Sequence, residues 1–448
     1  MLEALERALA IPELRKRVLY VLTMFLIFAV GAHVPVPGID HERLAAMMSQ
    51  NKGGLLGFVD VFGGGALRRF SIFAMGIGPY INASIIMQMM TLAIPQLEQL
   101  SKEGESGRKQ VAKVTRYLTI ILAAAQSFGL TLVFSQQGMG MNPVVRLQVM
   151  VTLTAGSVFL LWLGEQVTQH GVGNGVSLII FAGIMLSMPG QLSQLVDSVR
   201  NHIVSPLAVI AMIALFIATV YAVVFITQGT RRIPIQHTKR VIGMRQTQAG
   251  SSFLPIKINS AGVIPIIFAI SLMLLPATIL NAIPAGNSGP LYWMKEHATK
   301  FNPGEAWSVG LPFKLPIPLL IYAFLIVVFT YFYTAIVMNV QEMADNLKKY
   351  GNYIPGIRQG KPTFDYLEKV ISRITMAGAV FLAFIAMTQY IIPAVTGVTM
   401  ITIIGGTSLL IVVGVAIETM QAVEAQLLMR NYEGFIKEGD QPRAARAR

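Results

Sequence analysis

A chain of 448 residues that is 54% hydrophobic and 13% charged, with a mean hydropathy of +0.61, is too apolar for a soluble enzyme and reads as a polytopic membrane protein. The absence of cysteine excludes disulfide staples, thiolate metal sites and cysteine nucleophiles. The net charge of +13 acquires meaning only once the loops that carry it are placed.

Apolar stretches of roughly 20 residues, the length that crosses a hydrocarbon core, fall at 18–36, 72–94, 114–134, 149–168, 176–190, 204–226, 261–283, 316–338, 374–393 and 400–420. Arg15, Lys16 and Arg17 precede the first, as in a signal peptide. Its apolar run is longer than an h-region, however, and ends in His33-Val-Pro-Val-Pro-Gly38 without a small-x-small cleavage site, so it is read as a span. Next comes Leu55 to Phe62, apolar but too short to cross, broken by Gly63, Gly64 and Gly65 and followed by Arg68 and Arg69. This pattern predicts a re-entrant half-helix that dips into the membrane and turns back. Such backbone is tolerated only where protein or a water-filled cavity surrounds it.

In span two, Ile77 and Ile81 are four apart and share a helix face, with Pro79 between them. Asn82 there, and Gln126 in span three, carry amides into the membrane, where an amide seeks a partner or water. Span four closes in Trp162-Leu-Gly-Glu-Gln166, and the loop His170 to Gly175 has glycine at every second position. No strand precedes it, so a hinge is a better reading than a dinucleotide fingerprint. From Gln228 to Ser260 a long inner loop holds Arg231, Arg232, Lys239, Arg240, Arg245 and Lys257 with no acidic residue, and alternating Ile233, Ile235, Val241 and Phe253 predict that it is ordered. Span seven opens on Asn259 and contains Pro265, an expected kink. A second basic inner loop, Asn339 to Ile371, carries Lys348, Lys349, Arg358, Lys361 and Lys369.

With the N-terminus inside, 26 of the 35 Lys and Arg fall in inner segments and nine in outer ones, the bias that sets orientation. Ten spans then return the C-terminus to the cytoplasm. The expected organisation is a cytoplasmic segment 1–17, a half of five spans over 18–200, a second half over 201–420 and a cytoplasmic tail 421–448. An odd number of spans per half gives the halves opposite topologies if they are repeats. The fold class is all-α.

Catalytic signatures are missing. Gly360-Lys361-Pro362 is not a P-loop, the six histidines are scattered, and acidic residues such as Glu165 and Glu418 lie near span ends. A secondary transporter of a small solute fits inverted halves, yet it ordinarily carries intramembrane carboxylates. An intramembrane protease would need a Ser/His dyad or a metal motif. Neither cofactor, metal nor catalytic residue is expected.

Motifs in one order cover nearly the whole chain: VPVPGID (34–40), FGGGALRR (62–69), IFAMGIGPYINASIIMQ (72–88), KEGESGRK (102–109), WLGEQ and GVGNG (162–175), AGVIP (261–265), ADNLKK (344–349), PGIR (355–358) and GGTSLLIVV (405–413). Together they resemble the SecY family, the central subunits of the bacterial protein-conducting channel. The resemblance implies two five-helix halves around an hourglass pore. Its waist would be an aliphatic ring at Ile77, Ile81, Val176, Ile180, Ile267 and Ile411, sealed on the outer side by a plug formed by Asp60, Val61, Phe62, Gly63, Gly64, Gly65, Ala66, Leu67, Arg68, Arg69 and Phe70. Between spans two and three and spans seven and eight it implies a lateral gate bridged by Asn82, Gln126 and Asn259. Arg231, Arg232, Lys239, Arg240, Arg245 and Arg358 match a docking surface for the ribosome or the SecA ATPase. The implied setting is the bacterial cytoplasmic membrane, with SecE and SecG as companion subunits and unfolded preproteins, with their signal peptides, as cargo.

Overall fold

The structure is a computed structural model that describes residues 9–39, 63–136, 142–202, 204–237, 241–242, 245–246, 251–282, 317–396 and 406–439. Each expected span falls on a helix, although several boundaries move. In chain order the helices are α1 (Pro12–Gly31), α2 (Gly78–Ala93), α3 (Pro95–Lys102), α4 (Glu105–Gln136), α5 (Pro143–His170), α6 (Gly175–Arg200) and α7 (Pro206–Gln228). After a stretch of strands come α8 (Ile264–Ala282), α9 (Ile317–Val337), α10 (Val340–Lys349), α11 (Lys361–Thr396) and α12 (Gly406–Gly439). Among the described residues, six helical stretches are long and apolar enough to cross a membrane: α5, α6, α7, 317–349, 361–391 and 406–429.

Prolines account for many of the boundaries. They occupy the first turns of α1, α2, α3, α5 and α7, where the missing N–H removes no helical bond. Pro79 therefore starts α2 rather than lying inside it. Residues 72–77 form turns, Gly76 has φ +57°, and Ile77 is the N-cap. Pro265 likewise sits in the first turn of α8, so the kink expected there is instead a helix start. The fifth span, expected to end at 190, runs through Pro189 to Arg200.

The chain divides into two compact units, 1–190 with 411–448 and 191–410, so the boundaries fall inside α6 and α12. In the first unit α2 packs on α4, and α4 on α5. Its core gathers Val36, Leu67, Phe70, Ala74, Met75, Ala123, Phe134, Val149 and Leu153. Phe73 stacks between Phe28 and Phe159, with ring centroids 6.0 and 5.9 Å away. Leu14, Val172 and Val423 cluster, which ties α12 to α1.

In the second unit α9 packs against α8 and α11. The described parts of the long basic loop form strands, in keeping with the structure its alternation predicted. Strand β1 (Thr230–His237) pairs antiparallel with β4 (Ser251–Lys257) from Thr230↔Lys257 to Gln236↔Ser251. The short strands β2 (Val241–Ile242) and β3 (Arg245–Gln246) form a hairpin between them. Strand β5 (Asn352–Tyr353), from the second basic loop, joins the free edge of β1 through Gln236↔Tyr353 and His237↔Asn352. Ile233 and Ile256 are buried beneath this sheet with Ile354, Leu367 and Ile371. Phe253 is 59% exposed, because Ser252, Leu254 and Ile256 face the core and a strand alternates.

Candidate functional site

In the first unit, Leu55 to Phe62, and with it Asp60 and Val61, lies outside the described residues. The adjoining stretch, Gly63 to Phe70, is a succession of turns. Left-handed φ angles of +73° at Gly64 and +76° at Gly65 forbid a continuous helix there. The segment is nevertheless held firmly. Val36 N–H donates to Phe70 O at 2.9 Å and Ile72 N–H to Val34 O at 3.0 Å, on either side of a Pro35↔Ser71 bridge. Ala66, Leu67 and Phe70 are fully buried, and Phe70 meets Phe134 of α4 edge-on at 5.3 Å. Arg68 and Arg69 stay exposed. Arg69 donates to His33 Nε2 at 2.5 Å, while the His33 Nδ1–H donates to Ala29 O at 2.8 Å, which fixes the neutral tautomer.

The expected ring residues lie on three helices here. Ile77 is buried at the N-cap of α2, and Ile81 follows half-buried one turn on. On α6, Ile180 is buried and Val176 half-buried, with one Val176 methyl against Gly164 of α5, a contact the sequence did not signal. Ile411, 1% exposed, is in the second turn of α12. Asn82 and Gln126 are half-buried on the neighbouring helices α2 and α4, and no hydrogen bond joins their side chains. Sequence reasoning also missed the ion pair of Arg116 with Glu165 at 2.6 Å, which links the N-terminal part of α4 to the C-terminal part of α5. Opposite charges near two span ends were its only advance signal.

The second unit holds the other residues. Ile267 is half-buried in the first turn of α8. Asn259, just before that helix, is buried, and its Oδ1 has no hydrogen-bond partner. The docking candidates Arg231 and Arg232 are exposed at the start of β1. Arg358 is exposed in the turn between β5 and α11, so the sheet joins the two basic loops into one platform. Arg245 is on β3, and Lys239 and Arg240 lie outside the described residues. The start of α12 is pinned to α11 by a Thr407 hydroxyl that donates to Gln389 Oε1. Among the described residues, no group of three or more His, Cys, Asp or Glu side chains is placed to hold a metal.

Long apolar helices, a buried glycine-rich turn and a basic sheet rising from the loops define an all-α, multi-pass membrane protein. A model of the SecY family matches residues 71–420. The protein translocase subunit SecY of Halalkalibacterium halodurans is 42% identical over 448 residues, spanning 98% of this chain and 100% of the relative. The chain belongs to the SecY family. Solved structures of the same fold include a SecY protein reported for a plug domain that stabilises the closed state of the translocation channel, with TM-score 0.61, 20% identity and 92% of each chain covered. Another is the channel of the canine ribosome-channel complex from the endoplasmic reticulum, with TM-score 0.58, 18% identity and 92% of each chain covered.

Proposed function

We propose that this chain is the pore-forming subunit of a protein-conducting channel, passing unfolded preproteins across the bacterial cytoplasmic membrane and releasing apolar segments sideways into lipid. The single observation that carries this is the end-to-end match to translocase subunits at 42% identity. The physics suits the work. An aliphatic waist of Ile77, Ile81, Val176, Ile180, Ile267 and Ile411 dewets and blocks hydrated ions, yet yields around any side chain without binding it. The segment Asp60 to Phe70 acts as the plug of that waist.

Asn82, Gln126 and Asn259 serve as the amides of the lateral gate. Interhelical amide bonds contribute about 1 kcal/mol, enough to bias a gate and little enough to release it. The unpartnered Asn259 Oδ1 supports this role, because a buried amide oxygen gains by acquiring a donor. Arg231, Arg232, Lys239, Arg240, Arg245 and Arg358 form the cytoplasmic docking face for the ribosome, whose phosphates suit them, or for the SecA motor, whose acidic residues would. SecE and SecG are its companion subunits. Both termini face the cytoplasm, in keeping with the Lys and Arg bias, and the halves 18–200 and 201–420 have opposite topologies.

Photoreactive probes at Ile81, Ile180 and Ile411, challenged with a stalled nascent chain, test the reading. Crosslinks from all three are expected, and none from any of them would remove the pore.

A further inference from the structure

Two glycine contacts in the first unit hold the turn that opens the plug segment. Gly76, at φ +57°, is so close to Gly63 that an added Cβ would stand 3.6 Å from the Gly63 Cα. At Gly64, φ +73°, an added Cβ would stand 3.2 Å from the carbonyl oxygen and 3.3 Å from the Cα of Gly183, and 3.2 Å from a Leu186 methyl. Backbone thus rests on backbone, with Gly183 buried inside α6. Gly183 follows Ile180 by three residues and Val176 by seven, so it continues their helix face one turn further along.

We infer that Gly183 is the seat of the plug, a positioning residue that sets the glycine turn directly beyond the Val176–Ile180 stripe. The inference rests on the proposed plug and pore. At the seat itself backbone meets backbone, so the Gly64–Gly183 contact is made and broken with little interdigitation there, while Leu67 and Phe70 anchor the rest of the segment in the core. Gly64 is the matching half: its left-handed backbone and its close approach both call for glycine. Gly65 has a left-handed φ as well, but an added Cβ there meets nothing within 4 Å, so only its conformation matters.

Resting ion conductance of the complete channel complex in planar bilayers tests this. The variants are Gly183→Ala, Gly183→Leu, Gly64→Ala, a deletion of residues 60–70, and Gly183→Leu within that deletion. Gly190→Ala, where an added Cβ meets nothing within 4 Å, is the control. Conductance is expected to rise with side-chain size at 183, by roughly tenfold for leucine as overpacking falls on the seated state alone, and to rise also in Gly64→Ala. In the deletion background Gly183→Leu should add nothing. If the deletion leaks while both Gly183 variants and Gly64→Ala stay silent, the seat is wrong and the plug survives. A silent deletion would instead overturn the plug. An equal added leak with and without residues 60–70 would show Gly183 acting on the waist alone, which also overturns the seat. Should the leucine variant fail to assemble, as judged by size-exclusion chromatography, the alanine variants at 183 and 64 decide the matter.

Discussion

At Gly156 of α5 an added Cβ would stand 1.9 Å from the carbonyl oxygen of Ile72, backbone against backbone, with no flexible side chain to yield. The turn that carries Ile72 is bonded to Val34 and followed by Phe73, itself stacked between two rings, so it has nowhere to retreat. Gly156→Ala should therefore destabilise the first unit by about 1–3 kcal/mol, seen as a lower thermal unfolding midpoint of the purified protein. Gly78→Ala is the contrast: it meets nothing within 4 Å at the start of α2 and should leave the midpoint unchanged or slightly raised. An unchanged midpoint in Gly156→Ala would mean that α5 and the 72–77 turn are looser than their packing implies. Neither outcome could have been read from the sequence, because a glycine in an apolar run looks the same whether it touches lipid or a distant carbonyl.

Within single elements, apolar length foretold the ten long helices, but not the short α3 and α10 inside the loops, nor where helices begin. Pro265 looks like a kink and Pro79 like a mid-span residue in a hydropathy reading, yet each stands in a first turn because the glycine-rich residues before it leave the helical region. Alternation foretold structure in the 228–260 loop, realised in β1 and β4, but not which face is covered, since a period of two leaves that open until the partner strand and the cluster beneath are known. The pairing of β1 with β5 was illegible, being a contact between loops more than a hundred residues apart. That sheet behaves as one element if Ile256, buried beneath it, holds both loops. Ile256→Ala should cost about 2–5 kcal/mol of local stability. Amide exchange should then accelerate together in 230–237, 251–257 and 352–353, with the membrane helices unaffected. Acceleration confined to 251–257 would show that the two loops open separately.

For the molecule as a whole, the candidate site was legible as a set of motifs rather than as geometry. Isoleucines in apolar helices carry no mark of a pore, and only their order along the chain tied Ile77, Ile81, Ile180 and Ile411 to one. The proposed orientation, by contrast, rests on charge alone and can be tested directly. Among the described residues five long helices, α5 to α9, lie between Asn142 and Arg358, and if all five cross, as the expected spans have it, the odd number places these two residues on opposite sides of the membrane. Both are exposed, Asn142 at the N-cap of α5 and Arg358 in the turn before α11. Because the chain has no cysteine, a single one introduced at either place is the only thiol in the protein. A membrane-impermeant maleimide applied to intact cells should label Asn142→Cys and spare Arg358→Cys until the membrane is permeabilised. The reverse pattern would invert the orientation and put the basic platform outside, where neither a ribosome nor a cytoplasmic motor could reach it. Equal labelling of both in intact cells would mean that one of the five helices does not cross.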